Sequence, residues 1–348
     1  MKTKPLDLRH ISVYLGDHCN FDCTYCDRAY IKSLGGQNMS KKYVQRVADV
    51  LQLYPDLELI TFHGGEPFLF VKRMDDILQL FPDVTVGITT NGSLLKEHEW
   101  FLEKYHDRIR LNISYDFIYQ SENRSELFVD DLIEILRKHD INHIWQYVLP
   151  IQDKRAFSLD NVQSIVRTMH RSGSSILNLI PLRHRRGANK FEVLLNDISM
   201  PHFADMFMRF ITTLYNYNIR VFVDGNTDQI EKSYLTNHNK VILSPDGYMY
   251  PEYDFCEYKR PEFRVGQWLE KLEFNRLQDE ENVIQSKCKD CSMRNNCGLK
   301  YLHKMFDTLP ENDQCVKFYQ IIEAMVDYTQ KLYEYKNVYE AIVSVRAE

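Results

Sequence analysis

The sequence predicts an α/β fold: a parallel sheet closed into a partial (β/α)6, TIM-like barrel, followed by a small C-terminal domain. Three observations predict it. Strand and helix signals alternate through the first two-thirds of the chain, the pattern of a parallel sheet with crossover helices. The eight cysteines fall into two groups around a cysteine-free middle: 19, 23 and 26, then 256, 288, 291, 297 and 315. Near residue 224 the alternation gives way to a hairpin and loops. The expected domains are therefore 1–225 and 226–348.

The elements follow in order. Ile11–Leu15 is a short apolar strand. Ser40 is placed to N-cap a helix with Val44, Val47, Ala48 and Leu51 on one face. Leu57–Phe62 is the next strand, a short helix ends over Leu78–Phe81, and Val84–Thr89 is a third strand. Ile109–Ser114 and Ile144–Leu149 are the fourth and fifth, and Ile176–Ile180 is the sixth. Ile133–His139 and Val162–Met169 supply helices between the later strands. Phe203, Phe207, Phe210, Ile211 and Leu214 recur at helical spacing, a stripe facing the core. Val241–Leu243, Pro245-Asp246-Gly247 and Tyr248–Tyr250 form a hairpin. A last amphipathic helix carries Phe318, Ile321, Ile322, Met325 and Leu332. Strands begin by residue 11, so no further domain is expected ahead of the first strand.

Composition narrows the function. The 348 residues are 44% hydrophobic and 26% charged, ample for a globular core. The net charge of −6 provides no global basic field for nucleic acid. No apolar run reaches membrane-spanning length, and the N-terminus has no apolar h-region of a signal peptide. A reducing cytoplasm is the expected location, with cysteines as thiols, metal ligands or catalysts rather than disulfides.

The first group, Cys19-Asn-Phe-Asp-Cys23-Thr-Tyr-Cys26, directly follows the first strand. Three thiolates in so compact a loop suit an iron–sulfur cubane with one iron left open to a small-molecule ligand. A zinc site with His18 as a fourth ligand is the alternative that spacing leaves open. Three more segments stand at strand ends: His63-Gly64-Gly65-Glu66-Pro67, Thr89-Thr90-Asn91-Gly92 and Ser114-Tyr115-Asp116. Each alone is a weak signal, since Gly64-Gly65 and Asn91-Gly92 read equally as turns.

Together and in this order, the four segments resemble the radical S-adenosylmethionine (SAM) superfamily. The resemblance implies that Cys19, Cys23 and Cys26 hold a [4Fe–4S] cluster and that Tyr25 flanks the adenine. It implies that Gly64, Gly65 and Glu66 receive the SAM amino group, a carboxylate being able to pair with ammonium. Asn91 lies in the family's third motif. Ser114 and Asp116 are expected near the ribose and carboxylate. Residues 1–225 are then the radical SAM core.

Cys288, Cys291, Cys297 and Cys315 are four further thiolates, for which zinc and iron–sulfur both remain open by spacing alone. The region resembles the SPASM/twitch-like extension, which implies an auxiliary [4Fe–4S] domain over 226–348. That pattern expects a cysteine where Glu252 stands and another at Tyr301, and neither is present. The resemblance thus implies a single auxiliary cluster, and two [4Fe–4S] clusters plus SAM as cofactors.

Cys256 is left over. Its plain interpretation is a packed thiol; the sharper one is a hydrogen-atom donor, as in similar peptide epimerases. Arg183-His184-Arg185-Arg186 after the sixth strand is a solvated loop or an anion site, with Arg183 a candidate for the SAM carboxylate. The resemblance implies cleavage of SAM to a 5′-deoxyadenosyl radical and hydrogen abstraction from a substrate. Modification of a ribosomally made peptide, by epimerisation or crosslinking, is the leading expectation, with flavodoxin or ferredoxin as electron donor. Radical chemistry on a nucleoside, a nucleic-acid base or another small molecule is the alternative, and a zinc-stapled binding protein the remote one.

Overall fold

The computed structural model describes residues 8–26, 31, 35–124, 129–151, 153–182, 199–223, 240–251, 253–257, 260–274 and 320–335. Seven strands follow one another: β1 (His10–Tyr14), β2 (Leu59–His63), β3 (Thr85–Thr90), β4 (Ile109–Ser114), β5 (Asn142–Leu149), β6 (Ile176–Pro181) and β7 (Arg220–Val223). Each pairs in parallel with the next. The fold is α/β with a parallel sheet, as the alternation predicts. β7 is a strand beyond the six expected; it is only four residues long, too short for a pattern to stand out.

Helices cross between these strands at Lys41–Leu51, Val71–Leu78, Glu99–Tyr105, Val129–Lys138, Leu159–Ser172 and Met200–Asn216. The helix Lys41–Leu51 buries Val44, Val47, Ala48 and Leu51, the stripe expected of it. Ser40 takes the extended N-cap backbone but makes no side-chain cap bond. Glu99–Tyr105 had no periodic signal long enough to find; it is held by Phe101 and Tyr105, whose rings lie 4.9 Å apart.

Burial alternates along the strands. In β3 and β6 every second residue is buried, and Trp145, Tyr147, Leu177 and Leu179 are wholly so. These buried positions join the helix stripes in one hydrophobic core. The intervening positions, including Thr61, Thr89, Asn112, Gln146 and Asn178, are half-buried and mostly polar. One face of the sheet is therefore packed on helices, and the other is a polar surface inside the curve of strands.

The C-terminal region continues this sheet. β8 (Lys240–Leu243) pairs in parallel with the outer edge of β1. β9 (Tyr248–Tyr250), β10 (Gly266–Gln267) and β11 (Glu273–Phe274) add antiparallel strands beyond it. The sheet thus runs β11-β10-β9-β8-β1-β2-β3-β4-β5-β6-β7 among the described residues, with β7 and β8 unpaired to each other. The expected hairpin is present, but as an extension that covers the β1 edge. The helix over 320–335 packs Ile321, Ile322 and Met325 into the same core. Its Tyr333 hydroxyl accepts from the Val221 amide and donates to the Val221 carbonyl at 3.0 Å, which caps main-chain groups of the β7 edge. Among the described residues no helix is long and apolar enough to cross a membrane.

The aromatic stripe of Met200–Asn216 sits at the centre of this packing. Phe203 and Phe210 meet the Phe157 ring edge-on at 5.9 and 5.7 Å, and Phe207 stacks on Phe203 at 5.8 Å. Phe207→Ala should destabilise the protein by roughly 3–5 kcal/mol in urea unfolding. A loss below about 1 kcal/mol would contradict this packing.

Candidate active site

The candidate site is built where β1, β2, β3 and β4 end. After β1 the chain turns at Gly16 and Asp17. The Asp17 carboxylate accepts from the Tyr14 hydroxyl at 2.6 Å and from the Gln37 amide at 2.7 Å. This holds the entry to the loop of Cys19, Cys23 and Cys26. The segment after β2 lies directly against that entry. The Gly65 amide donates to the Gly16 carbonyl and the Glu66 amide to the His18 carbonyl, both at 2.8 Å.

Only glycine fits this contact. A Cβ on Gly65 would lie 2.1 Å from the His18 carbonyl oxygen. Gly64, at φ +152°, would place one 2.5 Å from the Gly16 oxygen. The backbones of the two segments touch, and that closeness sets the height of the cysteine loop.

Glu66 is fully buried. Its Oε1 accepts from the Phe68 amide at 3.0 Å and the Thr90 hydroxyl at 2.8 Å, and its Oε2 from the Asn91 amide at 2.8 Å. Burial raises its pKa while these donors pull it down. The carboxylate is used inside the chain, tying the end of β2 to the end of β3.

Asn91 carries the link back to the cysteines. Its Nδ2 donates to the Asn20 Oδ1 at 3.0 Å and reaches Cys19 Sγ at 3.9 Å. The Phe21 amide also donates to Cys19 Sγ, at 3.4 Å. The Cys26 amide donates to the Cys23 carbonyl at 3.0 Å, closing a turn between them. None of the three cysteines is in a disulfide, and all are half-buried.

Asp116 follows β4 and is fully buried. Its Oδ2 accepts from the Tyr25 hydroxyl at 2.7 Å, and Arg124 Nη1 lies 4.0 Å from its Oδ1. Burial pushes the Asp116 carboxyl up to about 6, against the pull of Arg124, the Tyr25 hydroxyl and the Val148 amide. Burial, then Asp116, raises Tyr25 well above its ordinary value. Arg124 also donates to the Tyr25 hydroxyl at 3.3 Å and stands 5.7 Å from the Phe21 ring. Burial alone would lower its pKa, but Tyr25, Asp116 and Cys23 outweigh that and keep it cationic. Arg124 belongs to none of the four strand-end motifs; its only sequence signal is a lone cation ten residues after Ser114. Ser114 itself is half-buried at the end of β4.

The donor set fits an iron–sulfur cluster, with thiols in reach of the surface, amide donors on one sulfur and a buried cation nearby. Burial pushes the Cys23 thiol up to about 12, while Arg124 lowers it, so thiolate formation there is coupled to metal binding. Among the described residues no three His, Cys, Asp or Glu side chains are gathered around one point. The loop supplies ligands rather than a finished cage.

A family model described as the radical SAM superfamily matches residues 13–149. Residues 13–149 are thus similar to a radical SAM domain. The match runs from within β1 to the end of β5, takes in every segment just described, and implies SAM and a [4Fe–4S] cluster. No curated protein matches the chain. Similar solved structures include native anSMEcpe with bound AdoMet, at TM-score 0.62 and 15% identity over 93% of this chain and 99% of that one. Streptococcus suis SuiB bound to S-adenosylmethionine is similar at TM-score 0.60 and 14% identity over 84% of this chain and 72% of that one. SuiB bound to precursor peptide SuiA gives TM-score 0.59, 14% identity, and 84% and 71% coverage. At these identities the likeness is one of fold.

The remaining expectations divide. Cys256 lies in the helical turn Tyr253–Glu257 and is only 2% exposed. Burial raises its thiol pKa well above the ordinary value, opposed by a hydrogen bond with the Ser244 side chain. Tyr253 of the same turn reaches the barrel mouth instead, with its ring 3.7 Å from His63 and its hydroxyl 3.3 Å from Thr61 Oγ1. Arg183, Arg185, Arg186, Cys288, Cys291, Cys297 and Cys315 lie outside the described residues.

Gly65→Ala should push the segment after β2 away from His18. It should hold less than about half the wild-type iron and melt roughly 3–6 °C lower, with circular dichroism otherwise unchanged. Wild-type iron content in this variant would show that the close contact does not set the cysteine loop.

Proposed function

We propose that this chain is a peptide-modifying radical SAM enzyme. The observation that carries the SAM reading is the convergence of four strand-end segments through Cys19–Asn91, Glu66–Asn91 and Tyr25–Asp116 contacts. The peptide reading is supported by the similar structures, one bound to precursor peptide SuiA and another, anSMEcpe, bound to AdoMet and Kp18Cys peptide.

Cys19, Cys23 and Cys26 would hold a [4Fe–4S] cluster with a position open to SAM. When bound and reduced, that cluster would supply the electron needed to cleave SAM to methionine and a 5′-deoxyadenosyl radical for hydrogen abstraction from the substrate. The chain's own residues orient SAM around that event. Main-chain oxygens of the Gly64–Glu66 segment receive its amino group. The Tyr25 ring, fixed through its hydroxyl on Asp116 and Arg124, flanks the adenine. Ser114 and Asn91 border the ribose and carboxylate, and Arg124 supplies buried positive charge beside them. Arg183 is a second candidate for that carboxylate.

Cys288, Cys291, Cys297 and Cys315 hold the single auxiliary [4Fe–4S] cluster, within a domain over 226–348. A flavodoxin or ferredoxin supplies electrons. The substrate carbon is modified by epimerisation or by crosslinking. Epimerisation through Cys256 requires movement of the Tyr253–Glu257 turn, because the thiol is buried.

The test is metal content and SAM turnover of protein purified without oxygen, beside a variant with Cys19, Cys23 and Cys26 changed to alanine. About eight irons falling to about four, with loss of 5′-deoxyadenosine formation, is the expected result. About four irons plus zinc in the wild type would make the C-terminal site structural. Zinc without iron, even after reconstitution, would overturn the enzyme reading. With a peptide substrate, epimerisation leaves its mass unchanged, whereas crosslinking removes two hydrogens.

A further inference from the structure

Strand register sets one continuous row across the polar face of the sheet. Ser114 on β4 is paired with Gln146 on β5, Gln146 with Asn178 on β6, and Asn178 with Phe222 on β7. The row starts at a residue of the SAM site and runs away from the cysteine loop. Its members alternate with Trp145, Tyr147, Leu177 and Leu179, which are buried in the helix-facing core. Gln146 and Asn178 therefore project to the inside of the curved sheet, where both are half-buried.

These two amides have nothing to bind among the described residues. Nearer the strand starts, Asn112 is engaged: its Nδ2 donates to the Thr89 hydroxyl at 3.4 Å. Gln146 and Asn178 have no side-chain hydrogen bond to any described residue. Half-buried amides with no partner among the described residues keep their donors and acceptors available, so a pair of them side by side is suited to a polar ligand.

The chemistry of that ligand follows from the row. Neighbouring strands stand about 4.8 Å apart, and each amide side chain offers both a donor and an acceptor. A main-chain peptide group offers the complementary N–H and C=O. One step nearer the strand ends, Val148 and Ile180 are paired and half-buried, an apolar step beside the polar one. Polar and apolar rows at this spacing match a polypeptide, whose amides and side chains alternate. A phosphate would call for cations. Along β4 to β7, the strands of this row, the Lys and Arg residues are Arg110 and Arg220, both exposed and at or next to the strand starts.

We propose that Gln146 and Asn178 are substrate-positioning residues that hydrogen-bond a main-chain peptide group of the substrate, with Val148 and Ile180 taking its apolar side chain. This rests on the peptide reading above and names the surface that carries it.

The test uses the cluster-loaded protein with SAM under anaerobic conditions. A synthetic random octapeptide library is affinity-selected on the wild type, and nucleoside 5′-monophosphates are assayed separately. The selected peptides should bind Gln146→Leu/Asn178→Leu about tenfold more weakly, with SAM affinity unchanged. N-methylating one main-chain amide of the best peptide should weaken wild-type binding several-fold and leave the double variant's binding unaffected. Should the double variant not fold, Asn178→Ala alone should show a several-fold loss. Equal binding of the peptides by wild type and variant overturns the row while leaving the peptide reading intact. Failure of the wild type to enrich any peptide overturns the peptide reading, and this proposal with it, whether or not nucleotides bind.

Discussion

One buried carboxylate holds the site together. Glu66 binds the Phe68 amide, the Thr90 hydroxyl and the Asn91 amide from a position with no access to water. Losing any one of these donors would leave a buried carboxylate oxygen short of a partner, so the ends of β2 and β3 are held together. Asn91 passes that constraint to Asn20 and Cys19, and the Gly65–Gly16 and Glu66–His18 contacts pass it to the start of the cysteine loop. A loop with no regular structure of its own is thereby fixed against rigid strands. The second anchor, Tyr25 on Asp116 and Arg124, fixes its far end against β4.

The sheet explains why these anchors meet. Parallel strands bring successive C-terminal ends to the same rim, so segments distant in sequence become neighbours there. Covering the β1 edge with β8 and capping the β7 edge with Tyr333 protects the two flanks of the parallel region. The C-terminal region thus completes the barrel's sheet as well as carrying the second cysteine group. Tyr253, set against His63 and Thr61, brings part of that region to the rim.

Much of this was legible in the residues. Alternation placed six strands and most crossover helices to within a few positions, because their apolar residues recur at clear periods. Ile109–Ser114 was placed to the residue. β7 and Glu99–Tyr105 were not visible, being too short for periodicity to outweigh local propensity. The pairing of β8 with β1 joins residues more than two hundred positions apart, which no local pattern records. The glycines after β2 stood out in the sequence, and the close backbone contact there admits no side chain. The roles of Glu66 and Arg124 were not: one carboxylate looks like another in sequence, and only burial shows that Glu66 serves its own chain. The same holds for Gln146 and Asn178, ordinary strand residues until register sets them side by side.

The central claim is that the strand-end segments form one SAM site on a cluster held by Cys19, Cys23 and Cys26. Electron paramagnetic resonance of the reduced protein, recorded with and without SAM, tests it most directly. The account predicts that SAM shifts the g-values of one cluster, and that the shift is lost when those cysteines are replaced. A reduced cluster signal that SAM leaves unchanged would contradict it.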